Sequence, residues 1–241
     1  MALAVFAAFG RLGRPDWKVD ESLDGAFAWE AVRHGNWSLE DGHPVFVRWF
    51  LGLGQLAFGE NRTGIRVAPA LASVLAVILL YVVGRALAGW RTGLLAAAMW
   101  AVLPRALVLG GEVVGPVRGD RFGYLEPFMV VALLGATLTG WRWVQRSAWG
   151  HAAATGALVG LAAAFKPTAV VVLVPIVGIG LARRRSLRQI ASQAAAMAGL
   201  AVAVFLVTYL PLGTDAPGHL HELFRYQLDH ARTGHVLVID G

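Results

Sequence analysis

Long runs free of Asp, Glu, Lys and Arg alternate along the chain with short turns crowded with arginine. Charge-free apolar runs cover residues 67–84, 147–165, 167–182 and 189–214. The run 92–104 reaches similar length once extended past Arg105, and 122–141 is interrupted by Glu126 alone. Residues 1–10 are apolar over about half a span and lack the basic start and A-x-A end of a cleaved signal peptide. A bilayer core about 30 Å thick needs roughly 20 residues of helix. The pattern therefore predicts spans over 66–85, 92–111, 122–141, 147–165, 167–182 and 189–212, preceded by a shortened span over 1–10. Residues 147–182 read as two spans turning at Lys166-Pro167, because proline ends a helix.

Composition narrows the class. Of 241 residues, 57% are hydrophobic and 15% charged, against roughly 25% charged in a soluble domain; the mean hydropathy is +0.60. These values exclude a soluble enzyme, a disordered chain and, despite a pI near 10.5, a nucleic-acid binder. Cysteine is absent, which removes disulfides, thiolate metal sites and a Cys nucleophile. The excess of arginine over lysine in an Ala/Gly/Val-rich background reads as coding bias of a GC-rich genome.

Charge placement sets a direction. Segments 85–91, 142–146 and 183–188 hold eight arginines and no acid, while all fifteen Asp/Glu lie elsewhere. The positive-inside rule makes the arginine-only side cytoplasmic and puts the carboxylates at the outer side. Two crossings over 147–182 keep residues 183–185 on that cytoplasmic side. The same parity makes 44–58, too short to span and carrying Arg48 and Gln55, a helix in the outer interface. The expected fold class is an all-α polytopic membrane helix bundle occupying 1–214. Its first outer loop, 11–65, carries interfacial helices at 21–34 and 44–58, and a second outer segment runs over 215–241. No repeat of fixed period is present, and Gly156 and Gly160 form a GxxxG packing pattern.

The first outer loop concentrates chemistry. Seven acids lie between Asp16 and Asp41, against Lys18 and Arg33. From Asp20 onward the spacing is helical: Leu23, Phe27 and Ala31 make an apolar stripe, and Asp20 and Asp24 share a polar face. Gly35 reads as the helix terminator, and Pro44 as a first-turn residue of the next helix. The simpler alternatives are an N-cap for Asp20, a solvated surface for the acids and a turn residue for His43.

The order Asp20-Glu21, then His43-Pro44 and Arg48, resembles the first luminal loop of the GT-C glycosyltransferases. The nearest likeness is to the phospholipid carrier-dependent family, of protein O-mannosyltransferase and aminoarabinose-transferase type. Further similar elements follow in order: Arg66 entering the second span, Pro104 ending the third, and Arg121-Phe-Gly-Tyr-Leu-Glu126-Pro opening the fourth. Gly160-Leu-Ala-Ala-Ala-Phe-Lys166 and Gly234-His235 complete the set. Val45, Arg48 and Glu126 depart from the family's second proline, lysine and aspartate. Family members are longer, so the resemblance also implies a fragment truncated at both ends.

The resemblance implies a GT-C-like bundle in a bacterial plasma membrane, moving a sugar from a polyprenyl-phosphate carrier to an acceptor hydroxyl outside the cytoplasm. Mannosyltransferase-like chemistry in cell-envelope or protein glycosylation follows from it. Its partners would be that donor, a protein, lipid or glycan acceptor and the bilayer, with no cofactor and no nucleic acid. Such transfer needs a base at the hydroxyl and cations at the departing phosphate. Asp20 is the expected base, with Glu21 orienting the acceptor or tuning it. Arg48, Lys166 and Arg121 would cradle the phosphate, with Arg66, His43, Glu126 and His235 as further substrate contacts. Lys166 stands out independently, since an ionisable residue between apolar runs marks function by default, although it can also snorkel to the interface. For Glu126 the simpler reading is a pair with Arg121 or Arg118. His219, His221, His230 and His235 could hold a divalent metal together with Asp20 or Glu21, although their spacing is not a recognised ligand pattern. The competing classes are a transporter or lipid flippase, with charges at mid-bilayer, and a structural subunit with scattered charges.

Overall fold

The computed structural model describes residues 1–10, 12–13, 19–37, 43–102, 108–109, 112–113, 123–183 and 186–233. Ten α-helices are found among them: α1 (Ala2–Phe9), α2 (Val19–His34), α3 (Val47–Phe58), α4 (Arg62–Ala88), α5 (Trp90–Val102), α6 (Glu126–Arg146), α7 (Trp149–Ala163), α8 (Leu173–Ala182), α9 (Leu187–Val207) and α10 (Ala216–Thr233). Short 3-10 turns, Pro167–Val172 and Leu210–Asp215, precede α8 and α10. The extended pairing among the described residues is one antiparallel ladder, Val108–Leu109 against Glu112–Val113. The protein is thus all-α. Three helices, α4, α6 and α9, are long and apolar enough to cross a membrane.

Local chemistry explains the boundaries. Asn61 caps α4, its Oδ1 accepting the backbone N–H of Thr63 at 2.9 Å and of Gly64 at 3.1 Å, which satisfies two otherwise orphaned donors. Gly35, at φ +71°, closes α2 with its N–H on the Ala31 carbonyl at 3.1 Å, a left-handed cap that glycine adopts without steric cost. The break at Lys166-Pro167 is present: α7 ends at Ala163, and a 3-10 turn starts on Pro167.

Several boundaries differ from the expected ones. The span placed over 122–141 begins at Glu126 and runs through Arg146, so residues 142–146 form its last turns and not a loop. Its end is fixed by Gln193 of α9, which is buried. Gln193 accepts from Trp143 Nε1 and donates to the Ser147 carbonyl, both at 2.8 Å. Pro44 lies outside α3, because the chain turns at Val45 and Phe46 before the helix starts at Val47. The helix placed over 189–212 stops at Val207, and the segment that follows contains α10, whose Leu223 packs with Val45, Tyr209 and Leu212.

The arginine-rich turns meet at one end of the bundle. Trp141 Nε1 donates to the Ala86 carbonyl at 3.1 Å, and the Arg183 guanidinium lies over the Trp141 ring at 5.7 Å. At the opposite end of α6, Phe46 and Phe50 of the turn and α3 pack with Phe128 of α6 and with Phe165. Ala28 of α2 and Ile65 of α4 complete that core. Close backbone approach is set by glycine where α7 meets α9: a Cβ on Gly156 would meet the Met197 backbone, and one on Gly160 the Ala201 carbonyl. The GxxxG pattern is therefore a packing surface here.

Gly160→Leu should lower the thermal midpoint in detergent, with an overpacking cost of about 1–3 kcal/mol. Gly199→Ala, on an open face of α9, should leave it unchanged or raise it slightly. Equal midpoints for Gly160→Leu and the wild type would refute the close approach.

Candidate active site

The site is built on a buried ion pair. Arg66, in the second turn of α4, donates from Nε to Glu21 Oε1 at 2.7 Å and from Nη2 to Oε2 at 2.6 Å. Its Nη1 donates to the Leu12 carbonyl at 2.9 Å, and the Gly123 N–H donates to Glu21 Oε1 at 2.9 Å. Both side chains are 0% exposed. A carboxylate in such a place is costly unless paired and hydrogen-bonded. Here the two-pronged geometry matches guanidinium to carboxylate, and backbone groups satisfy further positions on both. One interaction thus joins the start of α2, the entry of α4 and the segment leading into α6.

The pair also fixes which way α2 faces. Glu21, Asp24, Gly25, Ala28 and Ala31 are buried, whereas Leu23 is 51% exposed. The Leu23/Phe27/Ala31 stripe is therefore not the inward face; only Ala31 of the three is buried. The acids turn inward because each meets a partner there, and Gly25 permits the approach, since a Cβ on it would sit 2.6 Å from Ile65 Cδ1. Asp24 Oδ1 lies 3.5 Å from His43 Nδ1. The His43 ring in turn meets Tyr226 of α10 edge-on, at 6.0 Å between centroids. Asp24 and Tyr226 were not singled out in the sequence. The i, i+4 relation of Asp24 to Asp20 was the available signal, and Tyr226 had none.

The expected cations separate into two kinds. Arg48 is 2% exposed, donates from Nη1 to the Trp37 carbonyl at 2.8 Å and lies over the Phe27 ring at 5.4 Å. It joins α2 to α3 from inside the loop. Lys166 is different: its Nζ is 3.3 Å from Glu126 Oε1, with the side chains 41% and 49% exposed. Glu126 opens α6 and meets Lys166; Arg121 and Arg118, its partners in the simpler reading, lie outside the described residues. Phe165 and Phe128, stacked at 5.4 Å, hold the two backbones just below.

Three expected residues cannot be placed by side chain. Arg121 and His235 lie outside the described residues, as does the side chain of Asp20, whose backbone forms the second position of α2. Gly123, bonded to Glu21, is two residues past Arg121. Among the described residues no three His, Cys, Asp or Glu side chains converge as metal ligands.

The architecture is that of an all-α membrane bundle with an acidic helix braced against an arginine at the end that also carries an exposed lysine. Residues 42–210 match the family described as dolichyl-phosphate-mannose-protein mannosyltransferase, and the chain belongs to that family, among the GT-C glycosyltransferases. It is also similar to undecaprenyl phosphate-alpha-4-amino-4-deoxy-L-arabinose arabinosyl transferases. That of Pseudomonas aeruginosa strain LESB58 is 43% identical over 61 residues, covering 24% of this chain and 11% of the relative. That of Pseudomonas fluorescens strain Pf0-1 is 29% identical over 94 residues, 36% of this chain and 16% of the relative. The matched stretches therefore span a small part of these longer proteins.

Arg66→Met leaves Glu21 buried without its two-pronged counter-charge, and should cost about 3–5 kcal/mol of stability. Glu21→Leu combined with Arg66→Met should recover much of that loss. Thermal unfolding of the single and double variants checks this, and a double variant as unstable as the sum of the singles would refute it.

Proposed function

We propose that this protein transfers a sugar from a polyprenyl-phosphate carrier to an acceptor hydroxyl at the extracytoplasmic membrane surface, with Asp20 as the general base. The observation that carries the reading is the Glu21–Arg66–Gly123 junction, which anchors the turn of α2 that bears Asp20 and ties it to the segment following Arg121. Preorganisation of this kind is what a positioned base needs. Family membership and the carrier printed in the relatives' names support a polyprenyl-linked donor.

In this reading the acceptor O–H gives its proton to the Asp20 carboxylate while the oxygen bonds to the anomeric carbon. The bond from that carbon to the phosphate oxygen breaks, and its electron pair leaves on polyprenyl phosphate. Lys166 and Arg121 neutralise the departing charge, with His43, held by Asp24, as a further donor contact. Glu21, Arg66 and Arg48 are positioning residues: their charged groups are buried in internal contacts. Neutralisation is assigned to side-chain cations. Both mannosyl and amino-arabinosyl donors fit the support, and the acceptor is a protein, lipid or glycan hydroxyl.

The sidedness follows from the arginine turns gathered around Trp141, which the positive-inside rule assigns to the cytoplasm of a bacterial plasma membrane. A transporter needs charges along a path at mid-bilayer. Here the described polar contact within the α6–α7 pair is between the Thr155 and Thr139 hydroxyls, at 3.0 Å, while the paired acids sit at the bundle's end.

Asp20→Asn should reduce transfer by roughly 10²–10⁴-fold with donor binding retained, since Asn has nearly the shape of Asp and the donor phosphate is assigned to other side chains. Radiolabelled transfer from each candidate donor measures this, and full activity in the variant would remove Asp20 from the chemistry. For sidedness, Glu60→Cys should react with an impermeant thiol reagent in intact cells and Arg188→Cys should not. The cysteine-free chain makes the comparison clean, and the reverse pattern would invert the topology.

A further inference from the structure

The ion pairs of this protein differ in how readily a ligand can take one partner away. Glu21–Arg66 is two-pronged and fully buried. Glu126–Lys166 is a single 3.3 Å contact with both side chains nearly half exposed. Exposed single-contact pairs contribute little, so an anion at the membrane surface can displace the carboxylate at small cost. The roots of the pair do not have to move. Phe128 lies two residues from Glu126, Phe165 adjoins Lys166, and the two rings stack within the core shared with Phe46 and Phe50. Only flexible side chains must open. Glu126, the first residue of α6, also has somewhere to go, because a helix N-terminus favours a nearby negative charge.

We infer that Glu126 is a built-in competitor for Lys166. It occupies the ammonium when the site is empty, yields it to the carrier phosphate, and reclaims it when polyprenyl phosphate departs. This rests on the reading of Lys166 as a phosphate contact. Product polyprenyl phosphate, a monoester, carries more negative charge than the phosphodiester donor. A lysine without a competitor would hold that product longer and slow turnover. Glu126 therefore lowers affinity for the phosphate, the opposite of what a substrate-binding carboxylate would do.

The test is equilibrium binding of undecaprenyl phosphate to the purified protein in lipid nanodiscs. Glu126→Gln should tighten binding roughly two- to fivefold, the range that loss of a weak exposed pair allows, with an unchanged thermal midpoint. Lys166→Met should weaken binding. In the Lys166→Met background the Glu126→Gln change should have no effect, because Glu126 acts only through that ammonium. Tightening that persists without Lys166 would be a general charge effect and would overturn the inference, as would weaker or unchanged binding in Glu126→Gln alone. If Lys166→Met binds as well as the wild type, the phosphate contact itself is wrong, a failure distinct from that of the competitor role.

Discussion

The junction of Glu21 with Arg66 is the constraint on which the α2 end of the molecule depends. Two opposite charges, each too costly to bury alone, are brought together from positions 45 residues apart, and a third segment 102 residues from the first closes over them. The requirement that both be satisfied leaves α2 little rotational freedom. Once its azimuth is set, Asp24 reaches His43, Ala28 enters the aromatic core, and Gly25 and Gly52 let the helices approach. A Cβ on Gly52 would strike the Ala28 carbonyl and Val32. The end that carries the candidate site is organised by charge as much as by apolar packing.

Much of the bundle was legible because a bilayer imposes simple arithmetic. Charge-free runs became α4 and α9, Pro167 broke the chain where its chemistry says it should, and the arginine turns came together. The acidic helix was misread for a physical reason. Periodicity arguments take the apolar face as the inward one, which assumes charges prefer water. In α2 the acids find partners inside, and Leu23 is left outside. The helix then hides its charge from the lipid surface on which it would rest. Pairings were illegible for another reason: Glu126 and Lys166 were each noticed, but 40 residues separate them, and no local pattern encodes their meeting. Tyr226 reaches His43 only because Leu223 docks α10 against Val45.

The two classes of charged contact divide the labour of the site. Arg66 and Arg48 have their guanidinium groups committed to internal partners, and they set geometry. Lys166, anchored beside Phe165 yet nearly half exposed, makes a single contact that the proposed ligand would exchange. Arginine's fixed fork suits the first task, and a compact ammonium on a flexible stem suits the second.

The length of α7 has a consequence for the lipids themselves. Its 15 residues rise about 22 Å, less than the roughly 30 Å of an ordinary hydrocarbon core. A segment shorter than that thickness leaves its ends below the level of ordinary headgroups unless the bilayer thins beside the bundle. In the proposed reading, that short rise sets the turn at Lys166 deeper than unstrained lipid carries its own phosphates, a depth that a carrier with a long polyprenyl tail can reach without leaving the bilayer.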